Sequence, residues 1–192
     1  MATVYSTSES DLIRLAQRGD RNAFNELVRI HATGVMNVIY RMCGDQHLAE
    51  DAAQEAFLSA WLHLSSYQAR TPVRNWLYRI AVNAALDLLR KEVKILPDDV
   101  EDLELSDSRP GPEELAQNRE QSTLIQKAIL ALPDACRAVL ILREYEELSY
   151  QEISSTLDIP IGTVMSRLNY ARSLLREKLE PRLTSIKEVE NV

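Results

Sequence analysis

Apolar residues return at every third or fourth position along most of this chain, and this spacing restricts its fold more than any other feature. Between residues 21 and 43 the series consists of Phe24, Leu27, Val28, Val35, Val38, Ile39 and Met42. Such spacing places the side chains on one face of an α-helix. The alternation of apolar and polar residues that marks a half-buried strand does not appear. The sequence therefore predicts an all-α fold.

The composition agrees with a helical protein and excludes several classes. Of the 192 residues, 45% are hydrophobic and only 5 are Gly and 7 are Pro. The N-terminus lacks the basic start and apolar run of a signal peptide. No stretch approaches the roughly 18 uninterrupted apolar residues of a membrane span. We therefore expect a soluble, cytoplasmic chain without membrane insertion.

The cysteines and histidines form no recognisable metal or catalytic set. Cys43 and Cys136 are far apart in apolar surroundings, which favours ordinary buried thiols. No Cys-x-x-Cys motif or Cys/His spacing indicates zinc. His31, His47 and His63 do not cluster with a nucleophile. The sequence thus predicts no catalytic residue, no metal ligand and no cofactor.

Most of the acidic charge lies in one segment. The chain has 29 acidic and 22 basic residues, a formal net charge of −7. Residues 98–120 contain nine acidic and two basic residues and so account for all of it. The Pro-Gly-Pro run at 110–112 is typical of a linker. The sequence predicts two helical domains at 9–95 and 113–182, a flexible acidic linker at 96–112, and a tail at 183–192.

One helix face in the first predicted domain combines acidic, amide and apolar side chains. Its members, at positions i, i+3, i+4 and i+7, are Asp51, Gln54, Glu55 and Leu58. Carboxylates beside an exposed leucine suit a basic partner surface, because carboxylates pair bidentately with arginine. The alternative is an ordinary solvated helix face.

A basic segment with interspersed aromatic residues follows. Residues 70–94 contain six basic and two acidic residues. The candidate binding residues within it are Arg74, Trp76, Tyr78, Arg79 and Asn83. Rings on which bases stack and cations that hold phosphates are what single-stranded nucleic acid requires. The alternative is that Trp76 and Ile80, four positions apart, belong to the core.

The segment 148–179 has the pattern of a helix-turn-helix. Ser149 and Glu152 form a capping box that begins a short helix, and Asp-Ile-Pro at 158–160 turns the chain. The inward face of the following helix consists of Val164, Leu168, Ala171 and Leu175. Its opposite face and edges carry the candidate DNA contacts Thr163, Met165, Ser166, Arg167, Asn169, Tyr170, Arg172 and Arg176. Polar side chains there could read base edges and arginines could hold phosphates, although a generic helical hairpin is the alternative.

Three motifs in this order resemble bacterial RNA polymerase sigma factors of the extracytoplasmic-function (ECF) group. "DAAQEAF" (51–57) is similar to the segment that docks on the polymerase clamp helices. "NWLYRIAVNAALDLLRK" (75–91) resembles the part that melts and reads the −10 element. "LSYQEISSTLDIPIGTVMSRL" (148–168) resembles the −35-reading helix-turn-helix. The resemblance covers about residues 9–182 and implies the two domains called region 2 and region 4.

The resemblance implies a non-enzymatic subunit that directs promoter-specific initiation. Its partners would be core RNA polymerase, through the beta-prime clamp and beta flap, and promoter DNA, with an anti-sigma factor as a further candidate. The implied polymerase contacts are Asp51, Gln54, Glu55, Phe57 and Leu58, with Phe57 acting by packing. The −10 and −35 contacts are the two candidate sets named above. The acidic linker would then span or follow a basic channel of the polymerase.

Two positions depart from the group's usual pattern. Met165 stands where an arginine or lysine is common, and Val73 stands where an aromatic residue is common. We therefore expect −35 specificity to depend more on Asn169 and Tyr170. A competing interpretation is a stand-alone helix-turn-helix regulator with an N-terminal sensing or dimerisation domain. That protein would bind duplex DNA by itself, whereas a sigma factor needs core polymerase.

Overall fold

The structure, a computed structural model, describes residues 8–93 and 113–189, with side chains for 8–91 and 122–180. The described residues form eight α-helices and no strand, which confirms the all-α prediction for this part of the chain. The helices are α1 (Glu9–Gln17), α2 (Arg21–Cys43), α3 (Gln46–His63), α4 (Val73–Val93), α5 (Glu113–Leu130), α6 (Asp134–Glu144), α7 (Tyr150–Leu157) and α8 (Ile161–Val189). The predicted linker at 96–112 lies outside the described residues. No described helix is long and apolar enough to cross a membrane.

Helix α2 is the centre of an N-terminal bundle formed by α1–α4, since it packs against each of the other three. Val38, Ile39 and Met42 on α2 are fully buried. Helix α3 packs against α2 and α4, and its buried side is rich in alanine: Ala49, Ala52, Ala53, Ala56 and Ala60. These small side chains allow α3 to approach its neighbours closely, because the separation of packed helices depends on the residues at the contact.

Side chains cap the first three helices. Ser8, Asp20 and Asp45 each accept a hydrogen bond from a backbone N–H of the first turn of α1, α2 and α3, respectively. Four N–H groups at a helix start lack intrahelical partners, so such caps define where a helix begins. The starts of α1, α2 and α3 are therefore fixed by side chains.

Helices α5–α8 form a C-terminal bundle that contains the predicted helix-turn-helix. The capping box of α7 is present, because Ser149 Oγ accepts from Glu152 N at 3.2 Å and Glu152 Oε2 accepts from Ser149 N at 2.8 Å. Asp158, with φ 55°, ends α7 in the left-handed conformation. Val164 and Leu168 are fully buried, as the helix projection predicts. Helix α8 continues to residue 189, so the part of the predicted tail at 183–189 is helical.

The two bundles are packed against each other. Helix α2 contacts α5 and α6, and α4 contacts α7. Arg137 of α6 is 6% exposed and donates to the carbonyl of Met42 at 2.6 Å and to that of Leu132 at 2.9 Å, as well as to that of Leu130. One guanidinium thus joins the ends of α2 and α5. Burial lowers the pKa of Arg137, which nevertheless stays a cation because its usual value is so high.

Candidate polymerase and nucleic-acid interfaces

The predicted polymerase-binding face of α3 is open to solvent. Asp51, Gln54 and Glu55 are exposed, and Leu58 is 61% exposed. Leu62, which the sequence analysis did not select, extends this face by one turn and is 65% exposed. The sequence could have indicated Leu62 by its spacing, because it lies four residues after Leu58 and therefore on the same helix face. An apolar pair beside three polar acceptors suits a partner that offers both arginines and an apolar surface.

Phe57 lies differently from the rest of that set. Its side chain is half-buried, and it packs against the core of the N-terminal bundle next to Phe24 and Trp76. The structure therefore places Phe57 behind the α3 face, in the packing position expected for it.

Helix α4 divides its candidate residues between solvent and the interior. Arg74, Arg79 and Asn83 are exposed, whereas Tyr78 is only 4% exposed. Trp76 is half-buried, and its ring centroid lies 5.1 Å from that of Tyr67 at an interplanar angle of 47°. The two aromatic rings of this set therefore pack against protein, while its cations and amide face water.

An open groove of about 460 Å³ runs between α3 and α4. Glu55 and Ser59 line it from α3, and Asn83, Asp87 and Arg90 line it from α4. The groove thus brings one predicted polymerase-binding residue next to one predicted −10 residue. Its lining combines these amide, carboxylate and guanidinium groups with the apolar side chains of Ala56, Ile80 and Ala84.

The buried Tyr78 is bound by the other bundle. Its hydroxyl donates to the carboxylate of Glu146, which lies in the loop between α6 and α7. Burial raises the pKa of Glu146, while the hydrogen bond from Tyr78 and the charges of Arg74 and Arg41 lower it in part. Burial and the same hydrogen bond also raise the pKa of Tyr78 well above its ordinary value. The phenol therefore keeps its proton and acts as a donor.

Two further contacts join α4 to the C-terminal bundle. Arg79 Nη2 lies 3.6 Å from Asp158 Oδ2, with the side chains 47% and 80% exposed. Asn75 is 1% exposed and lies against Glu152, whose pKa is lowered first by hydrogen bonds from Ser149 and to a smaller extent by Asn75. Neither amide atom of Asn75 makes a hydrogen bond of acceptable geometry within the described residues. The contact between Asn75 and Glu152 is thus close but poorly aligned.

The outer face of α8 presents its candidate residues as predicted. Met165 is 49% exposed and Tyr170 is 54% exposed. The other exposed members are Ser166, Asn169, Arg172 and Arg176, while Thr163 and Arg167 are half-buried. The two apolar side chains project from the middle of a polar surface. This surface combines hydrogen-bonding groups with groups that can contact a thymine methyl.

Two members of this set already have partners in the protein. Arg172 Nη2 lies 2.8 Å from Glu144 Oε1, and this hydrogen bond raises the pKa of Arg172. Ser166 Oγ donates to the carbonyl of Thr163 at 3.0 Å. Arg172 is thereby held against α6, and Ser166 retains its oxygen lone pairs for a donor on DNA.

Sequence reasoning did not select the residues of the C-terminal bundle that connect it to α2 and α4. Glu146 and Asp158 were each one acid among many. Arg137 offered a weak signal, because it interrupts the apolar run 136–142. An arginine on an apolar helix face is rarely buried without several acceptors. The acceptors are backbone carbonyls, whose positions depend on tertiary structure.

Comparison with known proteins identifies both halves of the chain. The family model for Sigma-70 region 2 matches residues 27–95, and that for Sigma-70 region 4 matches residues 122–175. The ECF RNA polymerase sigma factor SigW of Bacillus subtilis is 37% identical over 179 residues, which are 87% of this chain and 94% of SigW. The ECF RNA polymerase sigma-E factor of Escherichia coli K12 is 35% identical over 181 residues, 88% of this chain and 93% of that protein.

Solved structures share the arrangement of helices. CnrH, solved in complex with the cytosolic domain of CnrY, superposes with a TM-score of 0.67 at 24% identity, covering 88% of this chain and 96% of CnrH. RpoE of Bartonella quintana, solved with the anti-sigma factor NepR, gives a TM-score of 0.66 at 22% identity, covering 82% and 96%. At such identities the likeness concerns the fold. Together with the family matches and the relatives in sequence, it leads to one conclusion: the chain belongs to the Sigma-70 family, in the group of ECF RNA polymerase sigma factors.

Proposed function

We propose that this sigma factor binds core RNA polymerase and directs it to promoters that carry −10 and −35 elements. The observation that carries the proposal is the succession of region 2 and region 4 over a length that covers 94% of SigW. The chain acts as a specificity subunit without enzymatic activity, in the cytoplasm, where the polymerase works. Its domains are 9–95 and 113–182, with 96–112 as the linker between them.

The polymerase contact is the exposed face of α3. Asp51, Gln54, Glu55 and Leu58 face a basic and partly apolar surface of the beta-prime clamp, and Phe57 supports them from behind. The exposure of Leu58 supports this role, because a leucine at 61% exposure contributes little to the core of its own bundle. The C-terminal bundle adds a second contact with the beta flap.

The −10 element is bound by α4. Arg74 and Arg79 hold phosphates, and Asn83 bonds a base edge. Trp76 is half-buried and Tyr78 is 4% exposed, so their rings can stack on unstacked bases only after they are uncovered. The exposure of the two arginines and of Asn83 supports this role.

The −35 element is bound by the outer face of α8. Asn169 suits adenine, because its amide can bond the N6 and N7 positions together, and Met165 or Tyr170 can contact a thymine methyl. Arg167, Arg172 and Arg176 hold phosphates, while Thr163 and Ser166 provide shorter polar contacts. The exposed positions of Met165 and Tyr170 support this role.

An anti-sigma factor is proposed as a further partner, in line with the partners CnrY and NepR in the two solved structures. The competing interpretation, a stand-alone regulator, is disfavoured. It requires a sensing or dimerisation domain in the N-terminal half, where the match to Sigma-70 region 2 lies instead.

In vitro transcription tests the proposal. Purified chain added to core polymerase should yield promoter-specific transcripts that core polymerase alone does not produce. An Asp51→Arg variant should lose affinity for core polymerase, because a cation replaces the acceptor. The control is Glu50→Arg, which alters an exposed acid about 100° away on the same helix. Absence of specific transcripts with the wild-type chain would contradict the function.

Promoter preference provides a second test. Asn169→Ala should change the preferred −35 sequence at one or two positions, since a good base contact contributes about 1–3 kcal/mol of discrimination. The same variant should bind core polymerase with unchanged affinity. A preference identical to that of the wild type would rule out Asn169 as a base-reading residue.

A further inference from the structure

Two large apolar side chains lie on one flank of α8 at its N-terminal end. Ile161 is the first residue of the helix and is 44% exposed, and Met165 is 49% exposed. The exposed Asn169 continues the same line, since residues four positions apart lie one above the other on a helix. Ile161 does not belong to the predicted −35 set. This flank of α8 therefore begins with an apolar pair and becomes polar one turn later.

The apolar pair lies where a recognition helix reads bases. In a helix-turn-helix, the N-terminal residues of the second helix contact base edges in the major groove. Arginine and lysine, the side chains that read guanine, are absent from residues 161–166. The next residue, Arg167, is half-buried, and Arg172 is paired with Glu144 at 2.8 Å. The first turns of α8 therefore present apolar groups to the bases where a cation would read guanine.

An apolar side chain can distinguish base pairs in the major groove through one feature. The base edges there present hydrogen-bond donors and acceptors, and the C5 methyl group of thymine is the apolar exception. Contact with Ile161 or Met165 removes this methyl group from water, which is favourable. The same contact with another base edge removes a donor or acceptor from water without giving it a partner, which is unfavourable. The pair therefore favours thymine and disfavours the other bases.

We propose that Ile161 and Met165 select thymine in the −35 element through its C5 methyl group. This inference rests on the proposed function, in which the outer face of α8 binds that element. It makes Ile161 a specificity-determining residue and names the chemical group that both side chains recognise. The two residues are about 6 Å apart along the helix axis, and base pairs are about 3.4 Å apart along the duplex. The selected thymines should therefore lie one or two base pairs apart.

Gly162 supports the close approach that these contacts require. It lies about 60° from Met165 around the helix, in the direction of the outer face. A Cβ at this position would have no heavy atom of the described chain within 4 Å, so open space lies in front of it. Apolar contact requires heavy atoms within about 4.5 Å. The missing side chain therefore allows Ile161 and Met165 to come within reach of the bases.

Uracil in place of thymine tests the proposal, because it forms the same base pair and lacks only the C5 methyl group. The full chain is combined with core polymerase, and a promoter is identified by sequencing the 5′ ends of transcripts made in vitro from genomic DNA. Duplexes of this promoter then carry deoxyuridine at one thymine of the −35 element at a time. Half-maximal transcription should require about four-fold more holoenzyme at one or two positions. This change corresponds to about 0.8 kcal/mol for one buried carbon group.

Alanine variants connect each effect to its side chain. Ile161→Ala and Met165→Ala should each bind the thymine duplex about four-fold more weakly and lose the response to uracil at one position. Alanine preserves the helix, because its helix propensity is the highest. Ile125→Ala is the matched control, since it removes an isoleucine that is 42% exposed on α5, and it should keep the full response. No response to uracil in the wild type, or a full response in both α8 variants, would overturn the proposal.

5-Methylcytosine separates the methyl contact from an effect of DNA shape. At a position that responds to uracil, the T·A pair is replaced by C·G, with and without a C5 methyl group on the cytosine. The methyl group should increase affinity about four-fold for the wild type and leave it unchanged for the α8 variant that lost the uracil response. Equal affinities for the wild type would attribute the uracil effect to the deformability of the duplex and refute the proposal.

Transcription by the wild type separates this inference from the proposed function. Promoter-specific transcripts that are insensitive to both modified bases would refute the methyl contact and leave the proposed function intact. Absence of specific transcripts from the unmodified promoter DNA would refute the proposed function and the inference together.

Discussion

The hydroxyl of Tyr78 on α4 donates a hydrogen bond to the carboxylate of Glu146, 68 residues further along the chain. The pair joins a residue proposed to bind DNA to an acid from the other bundle. Gly34 leaves room for the tyrosine, since a Cβ at this position would lie 2.5 Å from the hydroxyl oxygen. The packing of α2 against α4 therefore determines where the phenol can point.

Removing this hydroxyl should weaken the fold. Tyr78→Phe keeps the ring but leaves the half-buried Glu146 without its donor, so we expect a loss of about 1–3 kcal/mol in the free energy of unfolding, measured by urea denaturation. Tyr145→Phe is the matched control, because the ring under Arg41 remains and the cation–π contact persists. Equal unfolding midpoints for the two variants would contradict the structural role of the Tyr78 hydroxyl.

The stability of the protein should depend on pH in part through the ionisation of the Glu146 carboxyl. Because burial raises its pKa in the folded state, the folded protein keeps this proton to higher pH than the unfolded chain does. Its contribution to stability is therefore complete below the unfolded value of about pH 4.3 and is lost as pH rises through the folded pKa.

Comparison with Glu146→Gln isolates this contribution from those of other titrating groups. The amide does not ionise, so the wild type should lose stability relative to the variant as pH rises above the unfolded value of about 4.3 and through the raised pKa of the folded state. Urea denaturation at several pH values measures the difference. A difference that stays constant over this range would show that the carboxyl is not titrating there.

Two glycines with positive φ allow a test of how closely α2 approaches α5, through the loss of stability that alanine causes at each position. Gly44, with φ 79°, ends α2, and an added Cβ would collide with Leu130 of α5. Gly19, with φ 93°, has no heavy atom within 4 Å of such a Cβ. Alanine at either position strains the backbone, by more than about 0.4–1 kcal/mol. Gly44→Ala should cost more than Gly19→Ala, because only there must a neighbouring side chain, that of Leu130, move away from the added methyl group. Equal thermal stabilities would refute the close approach of α2 and α5.

The capping box of α7 should be detectable in the stability of the protein. Ser149→Ala removes the hydroxyl that accepts from Glu152 N, with an expected cost of about 1 kcal/mol. Ser155→Ala, in the same helix, removes only a bond from an exposed hydroxyl to the carbonyl of Gln151 and should change stability by less than about 0.5 kcal/mol. If both variants melt at the same temperature, the cap does not stabilise α7.

The helices and the faces of the helix-turn-helix could be predicted from the sequence because their signals are local. Val164 and Leu168 are buried where the helical period places them, and Ser149 and Glu152 cap α7 as their spacing indicates. The exposure of the α3 face that we propose for polymerase binding was predictable for the same reason, since positions four residues apart lie on one side of a helix.

The contact between the bundles was not predictable, because it depends on pairs distant in sequence. Tyr78 lies in a segment that reads as amphipathic and basic, and nothing near it indicates that Glu146 will cover it. Arg137 is satisfied by backbone carbonyls, which every residue possesses, so no sequence pattern identifies its acceptors. Periodicity locates the face of a helix that packs inside its own bundle. It does not show which part of the other bundle will pack against the opposite face.

The end of α2 depends on the other bundle for its completion. The carbonyls of Arg41 and Met42 belong to the last turn, where a helix has no backbone donors of its own, and they accept from Gln126 and Arg137. When the bundles separate, these two carbonyls lose their donors and the last turn of α2 becomes easier to unwind. Amide hydrogen exchange in that turn should therefore report how often the molecule opens, without any label on either bundle.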